Sequence, residues 1–192
     1  VSDTDSKGKN VFFKKSHIDH DFTSILESDH TQTSSTCIKH QVYEISDIHQ
    51  KFGGFPESFC LENTRISQLW WTADQIDFET LGRKLGMEPI TVSSILQTPG
   101  NTIPYHRDTF FQIKQRFPDR TDIKVRANVF LEDWRLGHMI QYTLDDCHYT
   151  VTDWKAGDFL MWDESVLHLS CNAGMQNKYT LQVSGFLTAQ AS

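Results

Sequence analysis

Two different spacings of apolar residues divide this chain. Over residues 72–86, TADQIDFETLGRKLG, Ile76, Phe78, Leu81 and Leu85 supply an apolar stripe, the last three at the i, i+3, i+7 spacing of one helical face. Both ends of that predicted helix are marked. Thr72 and Gln75 fit a capping box, acids come early, Arg83 and Lys84 come late, and Gly86 can end the helix in the left-handed conformation. Trp70 and Trp71, just ahead of it, read as packing residues.

Beyond the helix the period shortens. PITVSSILQT, KVRANVFLEDW, HMIQYTL, CHYTVTDW, DFLMWD, VLHLSC and KYTLQVSGFL are short β-like runs, separated by turn-prone TPGN, RLG, KAGD and NAGMQN. Evenly spaced short strands predict an all-β sandwich or barrel, not alternating β-α units. The expected organisation is one domain over 1–192, with a helical and irregular N-terminal support at 1–89 and a β core at 90–188. Within the support, the polar SDHTQTSST predicts a mobile loop, and the Gly-Gly and Pro of HQKFGGFPESF a connection.

Composition narrows the class. A chain of 192 residues with 38% hydrophobic and 12% aromatic content can bury one sizeable core. Its net charge of −7 opposes a nucleic-acid backbone or an anionic membrane as partner, which favours a small-molecule or peptide substrate. The four cysteines, Cys37, Cys60, Cys147 and Cys171, stand too far apart for a zinc ribbon or a disulfide framework. They read as reduced thiols in a cytoplasmic protein. No apolar run reaches the ~20 residues of a membrane helix, and VSDTDSKGKN lacks the apolar centre of a signal peptide.

The candidate chemistry begins in TIPYHRDTFF. Nine histidines make roughly one His-x-acid expected by chance, and His17-Ile18-Asp19 is a second instance, in a polar stretch without flanking turns. If Tyr105 to Asp108 is extended, however, His106 and Asp108 project to one face and can reach one ion. His168, in a β-run bounded by turns, is the candidate third ligand, with His148 of DDCHYTV as its competitor. His138, after Gly137, reads as a turn residue at the surface or behind the site. Two imidazoles and one carboxylate on one side of an ion leave positions open, as in non-haem Fe(II) oxygenases.

PGNTIPYHRD, then WKAGDFLMWDESVLH, then NKYTLQVSGF together resemble the Fe(II)/2-oxoglutarate-dependent dioxygenases, over about residues 90–188. The PGxxIPxHxD portion is similar to the prolyl and aspartyl/asparaginyl hydroxylase branches. The resemblance implies a mainly β fold with supporting N-terminal helices, a double-stranded β-helix (jelly-roll, cupin-like) barrel. It implies Fe(II) on His106, Asp108 and His168, with 2-oxoglutarate as cosubstrate and O2 as oxidant. It implies hydroxylation of a C–H bond in an amino acid, peptide side chain or small metabolite, with release of succinate and CO2. Gly157-Asp158 matches the turn that commonly precedes the distal histidine's strand.

Where the family commonly has an Arg-x-Ser pair for the 5-carboxylate, this chain has Lys178-Tyr179-Thr180. Lys keeps the charge but not the planar two-pronged contact of Arg. Lys178 and Thr180 share one strand face, and Arg126 with Asn128 shares another, so Arg126 is the competing carboxylate anchor. FFQIKQRFPDR follows the first two ligands. Its plainer reading is a surface helix with Phe110 and Phe111 packed inward; as a lid it would offer Lys114, Arg116 and Arg120 to an acidic substrate group. Trp134 and Trp162 read as core, with Trp134 also a candidate substrate contact. Competing functions are a cupin-type metalloenzyme without 2-oxoglutarate, a noncatalytic cupin-like binding module, and, ranked lower, a nucleobase demethylase.

Overall fold

The structure, a computed structural model, describes residues 11–30 and 66–188. Cys37, Cys60, the HQKFGGFPESF connection and residues 31–36 of the SDHTQTSST loop lie outside the described residues. In chain order the elements are β1 (Phe13–His17), α1 (Thr23–Leu26), β2 (Ser67–Trp71), α2 (Phe78–Leu85), β3 (Met87–Gln97), β4 (Thr102–His106) and α3 (Phe111–Arg116), followed by β5 (Lys124–Phe130), β6 (His138–Leu144), β7 (Cys147–Val151), β8 (Asp158–Asp163), β9 (Leu167–Asn172) and β10 (Lys178–Leu187).

The strands form two antiparallel sheets, one in the order β1-β8-β5-β10-β3-β2 and one in the order β4-β9-β6-β7. Strand alternation then assigns each residue to one of two environments. On the larger sheet Val125, Ala127, Val129, Leu181 and Val183 join a core that includes Ile25, Leu81 and Leu85 of the helical elements. Each of the Val, Leu and Ile side chains, fully removed from water, contributes about 1.5–3 kcal/mol. The alternate residues Arg126, Asn128, Thr180, Gln182 and Ser184 turn to the opposite face, where they line the cavities between the sheets. A second core, of Phe130, Ile140, Tyr142, Trp154, Leu160 and Trp162, fills part of the barrel interior. Phe130 and Trp154 stack there in parallel, 4.0 Å between ring centroids.

The predicted helix starts later than its sequence signals suggest. Thr72 and Gln75 do pair, the Thr72 N–H and hydroxyl both donating to Oε1 of Gln75, but they close a turn. The helix proper begins at Phe78, capped by Asp77, whose carboxylate accepts from the Thr80 N–H at 3.0 Å. Gly86 ends it at φ 80°, the left-handed conformation expected. Three strands escape the periodic reading. β1 and β2 are the two edges of the larger sheet, and β4 is an edge of the smaller one and contains Pro104. Proline lacks the ladder's N–H, so an edge tolerates it, and the β4–β9 register shifts between Ile103 and His106.

Candidate metal centre

His106 is the last residue of β4 and lies opposite His168 of β9 in the strand register. Their rings are 4.3 Å apart, centroid to centroid. Asp108 lies past the end of β4 in an irregular segment, so the extended geometry predicted through Asp108 stops at His106. The three side chains converge all the same. One ligand atom from each of His106, Asp108 and His168 lies within 4.8 Å of the others. His17 and Asp19 enter no such group among the described residues; the His17 ring instead bonds Asp158 at 2.9 Å. His148 sits on exposed β7 and pairs with the Thr143 hydroxyl. His138 is buried at the start of β6, not on a surface turn, and its Nε2 meets the Gln176 carbonyl at 3.0 Å.

Local hydrogen bonds orient both imidazoles. Nδ1 of His106 faces the Pro104 carbonyl at 2.8 Å, and Nδ1 of His168 faces the Val166 carbonyl at 3.1 Å. A carbonyl only accepts, so each ring carries its proton on Nδ1 and its lone pair on Nε2. Burial, joined by the neighbouring His168, pushes His106 down to about 3, and burial also lowers His168. Both rings are therefore neutral bases at physiological pH. Burial alone would raise the Asp108 carboxyl, but the Arg126 guanidinium, then the two imidazoles and the Trp162 N–H, hold it below the usual carboxylate range. Arg126 Nη1 reaches Asp108 Oδ1 at 2.9 Å, and the Trp162 indole donates to Oδ2 at 2.9 Å. Two neutral nitrogen bases and one ionised carboxylate fit a divalent iron, and such a ligand set leaves further coordination positions open.

Two cavities meet at this cluster. The larger, about 220 Å³, is lined by His106, Asp108, Arg126, Gln182, Phe111 and Trp70, among others. The smaller, about 30 Å³, reaches from His106 and His168 to Asn128, Ser170 and Thr180. Behind Ser170 lies Lys178, only 2% exposed. Its ammonium donates to the Met139 carbonyl at 2.9 Å, the Ser170 hydroxyl at 2.7 Å and the Cys171 carbonyl at 3.3 Å. Ser170 cannot donate in return, because its proton goes to Oε1 of Gln97 at 2.6 Å. All three acceptors thus call for the charged ammonium, while burial draws the group down to about 7. Among the described residues no carboxylate pairs with it.

Arg126, the competing anchor, is committed differently. Nε donates to Ser184, its register partner on β10, Nη1 donates to Gln182, and the guanidinium ion-pairs with Asp108. The rest of FFQIKQRFPDR does not converge on the metal cluster. Phe110 is buried and Phe111 opens α3, as expected of packing residues, with Phe111 lining the larger cavity. Lys114 pairs with Glu164, beside an outer groove that also touches Asp108. Arg116 lies over the Phe117 ring, and Arg120 pairs with Glu88 and Asp122 over the Phe186 ring, so neither lines the larger cavity. Trp134 donates to the His138 carbonyl at 2.7 Å and packs against the inner core, away from the metal cluster.

The chain matches no protein-family model and no curated protein. Among solved structures it is similar to a Pseudomonas putida prolyl-4-hydroxylase, at 16% identity and a TM-score of 0.53, over 91% of this chain and 92% of that one. It is also similar to SnoN, a non-haem α-ketoglutarate-dependent epimerase of nogalamycin biosynthesis, at 14% identity and a TM-score of 0.48, over 76% and 73% of the two chains. A cupin superfamily protein from Desulfitobacterium hafniense DCB-2 aligns at 12% identity and a TM-score of 0.35, over 64% and 78%. The sheet orders and the first likeness, which spans nearly all of both chains, identify the fold as a double-stranded β-helix of the cupin-like kind. No helix among the described residues is long and apolar enough to cross a membrane.

Proposed function

We propose that this protein is an Fe(II)- and 2-oxoglutarate-dependent dioxygenase that hydroxylates a C–H bond of an amino acid, a peptide side chain or a small metabolite. The observation that carries the reading is the convergence of His106, Asp108 and His168, one ligand atom from each within 4.8 Å, at the meeting of two cavities. His106, Asp108 and His168 would hold the iron. Once bound with 2-oxoglutarate and O2, it supplies the oxidising power that the side chains lack, and the cosubstrate leaves as succinate and CO2.

The chain's own residues bind and aim. The Pro104 and Val166 carbonyls fix the tautomers of the two imidazoles, and Trp162 and Arg126 fix the carboxylate. The narrow cavity leads from the histidines toward Thr180 and Ser170, directly in front of the buried Lys178 charge. A dicarboxylate extending from the metal in that direction would bring its distal carboxylate to Thr180 and to the Lys178 charge behind Ser170, which would take it by exchanging one of its three present bonds; Lys178 pairs with no acid among the described residues whereas Arg126 already pairs with Asp108, which favours Lys178 as anchor. The wider cavity, with Trp70, Phe111 and Gln182 in its walls, would take the substrate. The resemblance to a prolyl-4-hydroxylase fold supports hydroxylation as the outcome.

Anaerobic reconstitution tests this. The Fe(II) protein titrated with 2-oxoglutarate is expected to develop a visible metal-to-ligand charge-transfer band, and His106→Ala and Asp108→Ala are expected to abolish it. Tight stoichiometric metal without the band would point to a cupin-type enzyme independent of 2-oxoglutarate. Failure to bind Fe(II) at all would leave a noncatalytic binding module.

A further inference from the structure

Resting on the oxygenase reading, the geometry points to a substrate that carries a carboxylate, received by the outer edge of the Arg126 guanidinium. Arg126 is partly buried in the wall of the larger cavity, the same cavity that touches His106 and Asp108. Ser184 takes Nε, while Gln182 and Asp108 take Nη1. Nη2 has no protein partner among the described residues. The group is thus held rigidly on one side and left with donors on the other, the arrangement that suits a planar anion.

Charge balance favours the same conclusion. Asp108 is the acid of the larger cavity's wall, and it is shared between Arg126 and the metal position. A divalent ion, Arg126 and Lys178 would face Asp108 and doubly charged 2-oxoglutarate, which leaves one positive charge uncompensated among the buried and half-buried groups, and the exposed Arg107 of the same wall adds to it. Uncompensated buried charge is costly, so a monoanionic substrate group binds better there than a neutral one. Trp70, Phe110 and Phe111, in the same wall, offer apolar contact to the carbon skeleton that such a carboxylate would tether.

The test uses the Zn(II)-loaded protein, which binds without turnover, and calorimetry. Wild type is titrated with 2-oxoglutarate, then, at saturation, with N-acetyl amino acids and their matching carboxamides. At least one acid is expected to bind about tenfold or more tighter than its amide, in keeping with a charge-assisted contact. Arg126→Met is expected to erase that preference; because Arg126 also holds Asp108, its 2-oxoglutarate affinity is read at saturating Zn(II) beside that of Trp162→Phe and is expected to fall no further than in that variant, with Arg126→Lys intermediate in the acid preference because it keeps charge without the planar edge. Circular dichroism and Zn(II) affinity report whether each variant is folded and loaded. Amides equal to acids throughout, or no acid bound, would overturn the proposal. So would a loss of 2-oxoglutarate affinity in Arg126→Met well beyond that in Trp162→Phe, which would make Arg126 the cosubstrate anchor. If wild type itself fails to bind 2-oxoglutarate, the oxygenase reading falls, and the acid–amide comparison on the Zn(II) protein still reports on Arg126.

Discussion

Trp162 donates its indole N–H to Oδ2 of Asp108 at 2.9 Å, from β8 of the larger sheet to a residue in an irregular segment. Asp108 gets no strand ladder to fix it, so its position depends on Trp162 on one oxygen and Arg126 on the other. Trp162→Phe keeps most of the ring's packing and removes that bond. Supporting hydrogen bonds of this kind typically contribute about 10–100-fold to metal affinity, and a loss in that range is expected in a Co(II) or Zn(II) competition titration. Unchanged affinity would make Trp162 a packing residue only.

Acid should weaken the metal-free protein through its histidines. In the unfolded chain an imidazole takes up its proton near the model value of 6.5, whereas folded His106 does so only at about 3. Between those values the unfolded state binds more protons, so stability rises with pH across the window and is lost as pH falls through it. Chemical denaturation at pH 7, 5 and 4 measures the slope. His106→Asn is expected to flatten it, and an unaltered slope would assign the acid sensitivity to other groups.

Lys178 gives two mutually opposed trends on the alkaline side. Burial draws its ammonium from 10.5 to about 7, while its three acceptors pull the other way, so the loss of charge begins at or above that value. As pH rises from there toward 10.5, the unfolded chain holds the extra proton and apo stability increases. Over the same range 2-oxoglutarate affinity should fall, because the anchor proposed for it is losing charge. Lys178→Met is expected to remove both trends and to weaken 2-oxoglutarate by on the order of 100-fold with metal retained, as for a buried charge deprived of its partner.

Gly157 tests the scaffold apart from the chemistry. Its φ is 89°, and a Cβ there would run into the Ile18 carbonyl and the His17 ring. Gly157→Ala is expected to cost about 1–3 kcal/mol, from the left-handed backbone and the clash together. Thermal melting should show the loss while Zn(II) stoichiometry stays the same, because the metal ligands lie on other segments.

The central strands were legible because both faces of each are constrained. β6, β8 and β10 coincide with HMIQYTL, DFLMWD and KYTLQVSGFL. Edge strands carry less pattern. β1 has three exposed residues of its five, and β4 contains a proline, so neither shows a clean period. For the site, His106, Asp108 and His168 could be picked out by type and spacing, although the convergence of Asp108 depends on a turn of chain that strand alternation does not describe. The Arg126–Asp108 pair was hidden for a different reason. It joins two residues through the barrel interior, and only the register of β5 against β10 and β8 shows which side of the strand Arg126 takes.

The Lys178 hydrogen bonds have a mechanical meaning as well. The side chain rises from β10 of the larger sheet, and its acceptors belong to β6 and β9 of the smaller one. Six residues further along β10, roughly 20 Å at strand rise, Ser184 holds Arg126, which grips Asp108. The two sheets are therefore tied at one end of β10 by directional polar bonds in addition to the apolar core between them, and at the other end the same strand, through Ser184 and Arg126, fixes the carboxylate where the metal would sit.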